Sequence, residues 1–291
     1  MYQSHWGLSE SPFRDDSDLQ SFYQSPTHEE ALARLHFLVE QHRRLGLLLG
    51  PEGSGKSLLL EILASQLRRH GPVVARVNLT GISGDEMLWS LAAQFGRNLD
   101  RCDSTPVLWR ALSDRLAAFR YQQVDAVILI DDADRAGNSV VPHLIRLAKI
   151  EPSALGGNVP ACSETGQIDK PGGSPPARQP RLTLILAGDR MLIGRLGETL
   201  LGLSELRIDL AAWQPDDIAG YLDRSLRRAG GSADVFDEPA IARLYELSHG
   251  IPRQVRLLAD LSLVAGAGRH LHSIDADVVE SVYHELAAVG V

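Results

Sequence analysis

Eight residues set between two apolar runs constrain this chain more than any other segment does. Residues 50–57, GPEGSGKS, contain three glycines and a single lysine, and they follow the apolar run LGLLL. The chain has three lysines against 26 arginines, so the lysine at position 56 is conspicuous. Lysine is a compact point charge on a flexible stem, whereas arginine is a planar fork. The segment therefore predicts a tight turn that uses one ammonium group.

The spacing of this turn matches the phosphate-loop pattern G-x-x-x-x-G-K-[ST], between a predicted strand and a predicted helix. Glycines let backbone N–H groups surround phosphate oxygens, and the helix start adds a positive dipole end. The lysine reaches the β- and γ-phosphates, and the last hydroxyl binds Mg²⁺. We therefore predict a nucleotide site with Ser57 as a metal ligand. The predicted nucleotide-binding residues of this segment are Gly50, Pro51, Glu52, Gly53, Ser54, Gly55, Lys56, Ser57 and Leu58.

A second motif ends an apolar run on two acids, VILIDD at residues 127–132. Parallel α/β sheets bind ligands beyond the carboxyl ends of their strands, where Asp131 and Asp132 would lie. We predict that Asp131 holds Mg²⁺ through water and that Asp132 polarises the attacking water. The alternative is a strand that only exits into a solvated turn, and the phosphate loop favours the functional interpretation.

The order of apolar and helical segments predicts the fold class. Apolar strands alternate with helices, which is typical of a parallel sheet covered on both faces. Only helical patterns follow Pro215. We predict an α/β P-loop NTPase domain over residues 1–212, with a mostly parallel five-stranded sheet sandwiched by helices, and a small all-helical lid domain over residues 213–291. Thr27 and Glu30 predict a capping box at the start of the first long helix.

Residues 151–180 interrupt this order with a stretch rich in glycine, proline and serine. Such a composition without periodicity predicts a flexible surface insertion. A pore-facing or partner-binding element is the alternative.

Charge and composition limit the partners and the location. The formal net charge is -8, which disfavours non-specific coating of nucleic acid. The two cysteines lie 60 positions apart, at 102 and 162, so they predict neither a zinc site nor a disulfide framework. The first residues lack the basic-then-apolar order of a signal peptide, and no apolar run is long enough to span a membrane. We expect a cytoplasmic protein.

Together these motifs resemble those of AAA+ P-loop ATPases, in particular the general secretion pathway protein A type and the related transposition-helper ATPases. The resemblance covers nearly the whole chain and includes the phosphate loop. Its other segments are YQSHWGLSESPF, FYQSPTHEEALARL, ILIDDAD, LILAGD, LSELRIDL and SHGIPRQVRLL. The resemblance implies ATP and Mg²⁺ as cofactors and a homo-oligomer with an arginine finger between subunits.

The resemblance also implies roles for residues outside the two motifs. The segment before the first strand packs on the adenine, which makes Tyr23, Pro26 and His28 candidates, although each could equally pack between domains. The polar sensor of the γ-phosphate ends the LILAGD strand, where Asp189 is the available side chain. The resembled proteins more often have an uncharged polar residue there, because an added carboxylate repels phosphate unless a cation faces it.

Two arginines match further catalytic positions of the resembled ATPases. Arg207 matches the finger that a neighbouring subunit presents to the γ-phosphate, which is worth roughly 10³-fold or more in rate. The alternative is an edge-strand salt bridge. Arg253 matches the second sensor, which reports the nucleotide state to the lid. The alternative is an arginine at a helix start that pairs with an acid.

The acidic pair departs from the resembled ATPases, which usually end this strand in Asp-Glu. Asp132 is one methylene shorter than glutamate, and a shift of about 1 Å at a catalytic group costs on the order of 10²-fold. We therefore expect slow hydrolysis, which suits a timed switch.

The leading hypothesis is Mg²⁺-dependent ATP binding and hydrolysis by an oligomeric AAA+ switch that acts on a macromolecular client. The first alternative is an ATP-dependent adaptor or DNA-binding clamp with little hydrolysis, although the net charge disfavours DNA. The second is a secretion or envelope-assembly ATPase. Full-length members of that group continue into a membrane span and a peptidoglycan-binding region. This sequence shows neither, so in this role we expect the chain to act through a membrane partner.

Overall fold

The computed structural model of the chain describes residues 2–13, 22–150 and 182–289. The predicted insertion at 151–180 lies outside these residues. The chain divides into two compact units, each made of several segments. The first unit comprises Met1–Arg34, Leu49–Ile62 and Asp209–Val291, and the second comprises Leu35–Leu48 and Leu63–Ile208. The predicted domain boundary at 212/213 stays a prediction.

A five-stranded parallel sheet confirms the predicted fold class. Its strands are β1 (Leu45–Leu49), β2 (Val73–Asn78), β3 (Ala126–Asp131), β4 (Leu182–Gly188) and β5 (Leu206–Asp209). The spatial order is β2-β3-β4-β1-β5, which places β2 and β5 at the two edges. The β2–β3 and β3–β4 pairs are parallel, and Asn78 of β2 is level with Asp131 of β3. This register brings the ends of two strands side by side.

The central strands are buried almost completely, which explains their unbroken apolar sequence. All residues of β1 and β3 are buried, because helices cover both faces of a parallel sheet. The edge strand β2 differs, since Arg76 lies in the middle of VVARVN. The Gln94 side chain donates to the Arg76 carbonyl (2.8 Å) and accepts from its N–H (2.9 Å). Gln94 therefore satisfies polar groups that an edge strand leaves open.

The helices alternate with the strands and then continue alone to the end of the chain. They are α1 (Tyr2–His5), α2 (Pro26–Glu40), α3 (Lys56–His70), α4 (Gly84–Gln94), α5 (Thr105–Tyr121), α6 (Val141–Ala148), α7 (Glu198–Leu201), α8 (Pro215–Arg228), α9 (Glu238–Ser248), α10 (Pro252–Gly268) and α11 (Ala276–Val289). Short 3-10 turns occupy Ala133–Arg135, Ile193–Leu196 and Ala233–Val235.

The predicted capping box of α2 is wrong by two residues. The helix begins at Pro26, and the Ser25 hydroxyl accepts from the His28 N–H at 3.4 Å. Ser25 thus occupies the N-cap position and Pro26 the first helical position, where proline has no N–H to leave unpaired. Thr27 lies within the first turn.

The helical part of the first unit has its own apolar core, and the N-terminal segment contributes to it. Trp6, Leu8 and Phe13 are buried in the same cluster as residues of α8, α10 and α11. The Trp6 indole N–H donates to the Leu263 carbonyl at 2.9 Å. Among the helices of the described ranges, none is both long enough and apolar enough to cross a membrane.

Candidate functional site: a phosphate loop and an acidic strand end

The phosphate loop lies where the sequence predicts it, between β1 and α3. Gly53 and Gly55 have φ angles of +81° and +94°. Side chains with a Cβ rarely adopt this left-handed region, so the loop needs glycine at both positions. The first N–H groups of α3 have no acceptor within their own helix, and they point out of its start. Loop and helix start together form a cradle of backbone donors.

Two side chains from elsewhere in the first unit approach these glycines closely. A Cβ added to Gly53 would lie 2.8 Å from the Arg253 Cβ, and one added to Gly55 would lie 2.9 Å from the His28 Nε2. Both distances are shorter than real Cβ contacts. The glycines are therefore required by packing as well as by backbone conformation.

Lys56 is nearly buried, with 8% of its surface exposed, and its ammonium group is folded onto the loop. Its Nζ donates to the carbonyls of Gly50 at 2.9 Å and Pro51 at 2.8 Å. The Ser54 hydroxyl is buried and has no hydrogen-bond partner within the described ranges. A buried hydroxyl and a concentrated ammonium charge fit an anionic ligand such as a phosphate group. Ser57 is exposed in the first turn of α3, where a metal ion could reach its hydroxyl.

His28 lies against the loop backbone. Its Nε2 donates to the Ser54 carbonyl at 3.0 Å, and its Nδ1 accepts from the Ser25 hydroxyl at 2.7 Å. Only 4% of His28 is exposed, and this burial lowers the pKa of its imidazole below the ordinary value. The hydrogen bond to Ser54 and the charge of Asp217 act in the opposite direction. A neutral imidazole with the proton on Nε2 satisfies both hydrogen bonds.

Tyr23 belongs to an aromatic cluster in the first unit. Its ring centroid lies 5.6 Å from that of Trp213 and 5.8 Å from that of Tyr221. Its hydroxyl contacts Gly220, where a Cβ would collide with it. Burial raises the pKa of the Tyr23 phenol, and Asp217 adds to this rise. Adenine contact by Tyr23 or His28 stays a prediction.

Arg253, in the first turn of α10, meets the phosphate loop twice. Its backbone N–H donates to the Gly53 carbonyl at 3.2 Å, and its guanidinium pairs with Glu52 at 3.2 Å. More than half of each side chain is exposed, so the ion pair itself contributes little stability. The alternative interpretation, pairing with an acid, describes this contact, and the sensor role stays a prediction.

The acids of the second motif lie in the second unit, at the end of β3. Asp131 is 1% exposed, and its Oδ2 accepts from the Arg76 guanidinium at 2.9 Å. Its other oxygen accepts from the Asp132 N–H at 3.1 Å. The buried carboxylate is thus paired with a cation and held in a fixed orientation.

Asp132 has a left-handed backbone, with a φ of +48°, which costs free energy for a residue with a side chain. Its Oδ2 accepts from the Asn78 amide at 2.7 Å and from the Thr80 hydroxyl at 3.2 Å. The Asn78 Oδ1 in turn accepts from the Thr80 backbone N–H at 2.8 Å. Two residues at the end of β2 therefore fix the Asp132 carboxylate.

Asp189 follows β4, and its side chain closes its own turn. Its Oδ1 accepts from the Met191 N–H at 2.7 Å. The backbone N–H of Asp189 donates to the buried Asp134 at 2.8 Å, and a Cβ on Gly188 would lie 2.7 Å from the same carboxylate oxygen. Asp134 thus supports the turn after β4, and a sensor role for Asp189 stays a prediction.

Arg207 is exposed on β5, which is an edge strand of the sheet. Both the arginine finger and the edge salt bridge require an exposed side chain, as Arg207 has. The structure leaves these two interpretations as predictions.

Sequence reasoning missed five residues that support the motifs: Arg76, Asn78, Thr80, Ser25 and Trp213. A charged residue inside the apolar run VVARVN is a signal that could have identified Arg76. Asn78 carries the weaker signal of a polar residue at a strand end. Ser25 and Trp213 contact His28 from 3 and 185 positions away, so no local pattern connects all three.

Comparison with known proteins agrees with this fold. Residues 39–159 match the AAA domain family. Cdc6p from Pyrobaculum aerophilum has a TM-score of 0.65 at 18% identity, covering 96% of this chain and 74% of that one. The Aeropyrum pernix ORC1 protein, solved in complex with DNA, has a TM-score of 0.62 at 16% identity over 95% and 71% of the two chains. The Thermotoga maritima RuvB Holliday junction branch migration motor has a TM-score of 0.54 at 15% identity over 94% and 73%.

The fold and the phosphate loop are those of AAA+ P-loop NTPases, and the family match covers residues 39–159. Within that class, the chain resembles general secretion pathway protein A of Aeromonas hydrophila, with 26% identity over 293 residues. The alignment covers 99% of this chain and 49% of the relative, so the chain spans about half the length of that protein.

Proposed function

We propose that this chain binds ATP with Mg²⁺ and hydrolyses it, acting as an oligomeric nucleotide switch on a macromolecular client. The observation that carries the proposal is the phosphate loop, with two left-handed glycines and a nearly buried lysine at the start of α3. Few other ligands need a ring of backbone donors closed by one ammonium group.

In this proposal the loop binds the phosphates and two side chains hold the metal. Lys56 exchanges its contacts with the Gly50 and Pro51 carbonyls for phosphate oxygens. Ser57 and Asp131 would hold Mg²⁺, with Asp131 acting through water, in the manner of sites that use one or two side chains and complete the shell with water and phosphate. A metal ion held there would supply positive charge that stabilises the transferring phosphate group.

Asp132 orients and polarises the attacking water. Asn78 and Thr80 hold its carboxylate through the same oxygen, which leaves the other oxygen for a water molecule. Asp132 lies one methylene short of the glutamate usual in the resembled ATPases, which supports slow turnover.

The switch needs residues that respond to the nucleotide. Exposed Arg207 completes the site of a neighbouring subunit, and Arg253 reports the nucleotide state to the helical lid. The contacts of Arg253 with Glu52 and Gly53 support the second role, because they connect the start of α10 to the phosphate loop.

Calorimetric titration of ATP with MgCl₂ into the full chain tests the proposal. We expect wild type to bind and Lys56→Ala to lose binding, whereas Lys149→Ala, a matched change at the end of α6, binds as wild type does.

Phosphate release measured across protein concentration tests the switch. Arg207→Ala should reduce turnover and spare binding, and turnover per chain should rise with assembly. Failure of wild type to bind ATP would remove the proposal.

The client distinguishes two further candidates. An ATP-dependent DNA adaptor is supported by the fold that this chain shares with the ORC1 protein solved in complex with DNA, and it is opposed by a net charge of -8. ATP-dependent retention of the chain on duplex DNA at low salt would favour it.

A secretion role with a membrane partner is supported by the match to general secretion pathway protein A. If the chain binds no DNA either with or without ATP, the secretion role is favoured over the DNA adaptor.

A further inference from the structure

A chain of buried hydrogen bonds begins at the carbonyl of Ser54 in the phosphate loop. The His28 Nε2 binds this carbonyl at 3.0 Å, the His28 Nδ1 binds the Ser25 hydroxyl at 2.7 Å, and the Trp213 Nε1 binds the same hydroxyl at 3.1 Å. All four residues are buried, with Ser25 fully inaccessible. Buried polar groups of this kind are costly unless every one is paired.

The donors and acceptors of this hydrogen-bond chain can be assigned in one consistent way. An indole N–H only donates, and a backbone carbonyl only accepts. The Ser25 hydroxyl therefore accepts from Trp213 and donates to the His28 Nδ1, while the His28 Nε2–H donates to Ser54. The arrangement needs a neutral imidazole, in agreement with the lowered pKa that burial gives His28.

The bond from His28 fixes the direction of a peptide group in the phosphate loop. In a planar trans peptide, the C=O of one residue and the N–H of the next point in opposite directions. Holding the Ser54 carbonyl against His28 therefore turns the Gly55 N–H away from His28. The left-handed Gly55 and the close approach of His28 allow this orientation only without a Cβ.

The same hydrogen-bond chain extends to the start of α10. The Trp213 backbone N–H donates to the Gly250 carbonyl at 2.9 Å, and a Cβ on Gly250 would collide with the Trp213 carbonyl. Gly250 lies two residues before α10, whose first turn donates to the Gly53 carbonyl from Arg253. The loop is thus contacted from α2 at Ser54 and from α10 at Gly53, and Trp213 joins the two routes.

We propose that His28 is a positioning residue for the phosphate loop, and that Ser25 and Trp213 relay the orientation of the Ser54 peptide to the start of α10. This inference rests on the proposed function, because it concerns the same ATP site. It differs from a contact between His28 and adenine, since His28 acts here through the loop backbone.

Two substitutions at His28 distinguish the contribution of its Nε2 from that of its Nδ1. Glutamine places a donor near the Nε2 position and keeps the bond to Ser54, whereas asparagine places an acceptor near the Nδ1 position and loses that bond. We expect His28→Asn to weaken ATP binding about tenfold, the usual cost of an unpaired buried group. His28→Gln should weaken it about threefold. His36→Gln, on the same helix and bonded to Gln66, is the matched control and should bind as wild type does.

Tryptophan fluorescence emission tests the part of the relay that runs from Ser25 to Trp213. We expect ATP to change the emission of wild type and of Trp6→Phe, a control that removes another buried indole hydrogen bond. The change should vanish in Trp213→Phe. Ser25→Ala should weaken ATP binding about threefold yet abolish the emission change, because it disconnects Trp213 from His28.

The outcomes separate the relay from the proposed function. If wild type does not bind ATP, the proposed function fails. If wild type binds and His28→Asn and His28→Gln have equal affinities, the positioning role is overturned. An undiminished emission change in Ser25→Ala overturns the relay. Should His28→Asn not fold in a thermal melt, the Ser25→Ala and His28→Gln results still decide between these outcomes.

Discussion

The phosphate loop takes its shape from backbone geometry, whereas the acidic end of β3 takes its shape from side-chain pairing. In the loop, Gly53 and Gly55 adopt left-handed φ angles, and His28 and Arg253 contact the backbone itself. At the end of β3, the two carboxylates each depend on side chains from β2 and the residues after it. The first kind of site tolerates no Cβ, and the second tolerates no loss of a charge or an amide.

This difference predicts which changes harm each site. A loop held by its backbone should respond to glycine replacement and to the groups that bind its carbonyls. An acidic cluster should respond to the removal of charge and of hydrogen-bonding partners.

Asp132→Asn should have the largest effect, since it removes the charge and keeps an oxygen for Asn78 and Thr80. We expect ATP turnover to fall by about 10²-fold, a usual loss for a catalytic acid or base, with ATP affinity changed less than threefold. Steady-state phosphate release and calorimetry measure the two quantities. Asp223→Asn, which alters an exposed pair with Arg227, is the control. Equal turnover in both variants would contradict the role of Asp132.

Arg76→Met should destabilise the second unit, because it removes the cation paired with the buried Asp131. Breaking a buried pair leaves an uncompensated charge; since Arg76 is partly exposed, we expect a loss of about 2 kcal/mol in the free energy of unfolding. Urea denaturation measures it. Arg34→Met removes an exposed pair with Glu30 on a helix surface and should cost about 0.5 kcal/mol or less. Similar losses in the two variants would mean that the Asp131 pair has no special importance.

Gly55→Ala should weaken ATP binding about tenfold. The added Cβ meets the His28 imidazole, and a left-handed φ costs about 1–2 kcal/mol for a residue with a Cβ. Calorimetry of ATP binding measures the effect. Gly268→Ala is the matched control, because an added Cβ at the end of α10 meets no atom and the φ angle is ordinary. Unchanged affinity in Gly55→Ala would show that backbone geometry does not decide the shape of the loop.

The pH dependence of stability should show the smallest effect. Burial lowers the pKa of His28, so the unfolded state binds the proton more readily. The free energy of unfolding should therefore fall as pH drops below about 6.5, with a slope of at most about 1.4 kcal/mol per pH unit, and level off below the lowered pKa of the folded state. Asp217, whose charge favours the protonated ring, limits this loss.

Chemical denaturation of wild type and His28→Gln between pH 7.5 and pH 5 would measure that slope. The variant lacks the titrating ring, so its stability should depend less on pH. His36→Gln should follow wild type. Parallel curves for wild type and His28→Gln would show that the buried hydrogen bonds of His28 do not oppose protonation.

Much of the architecture could be predicted, because the signals are local. Apolar runs of five to seven residues predict the central strands β1, β3 and β4, since strands buried on both faces have few polar positions. The edge strands β2 and β5 contain the charged residues Arg76 and Arg207 and carry a weaker signal. The predicted N-cap of α2 lies two residues late, at Thr27 instead of Ser25, because Thr27 and Glu30 fit a capping pattern and only the Ser25 contact distinguishes the two positions. The partners of the acids could not be predicted, because they depend on the register of β2 against β3.

The phosphate loop, the alternation of strands and helices along the chain and the acids at the end of β3 are all predictable from local sequence. These features follow from backbone conformation and burial over a few neighbouring residues. Three contacts are visible only in the folded chain: Arg76 pairs with Asp131, Asn78 holds Asp132, and Trp213 connects to His28 through Ser25. These contacts join residues 54, 55 and 188 positions apart, and such pairings arise from packing of the folded chain.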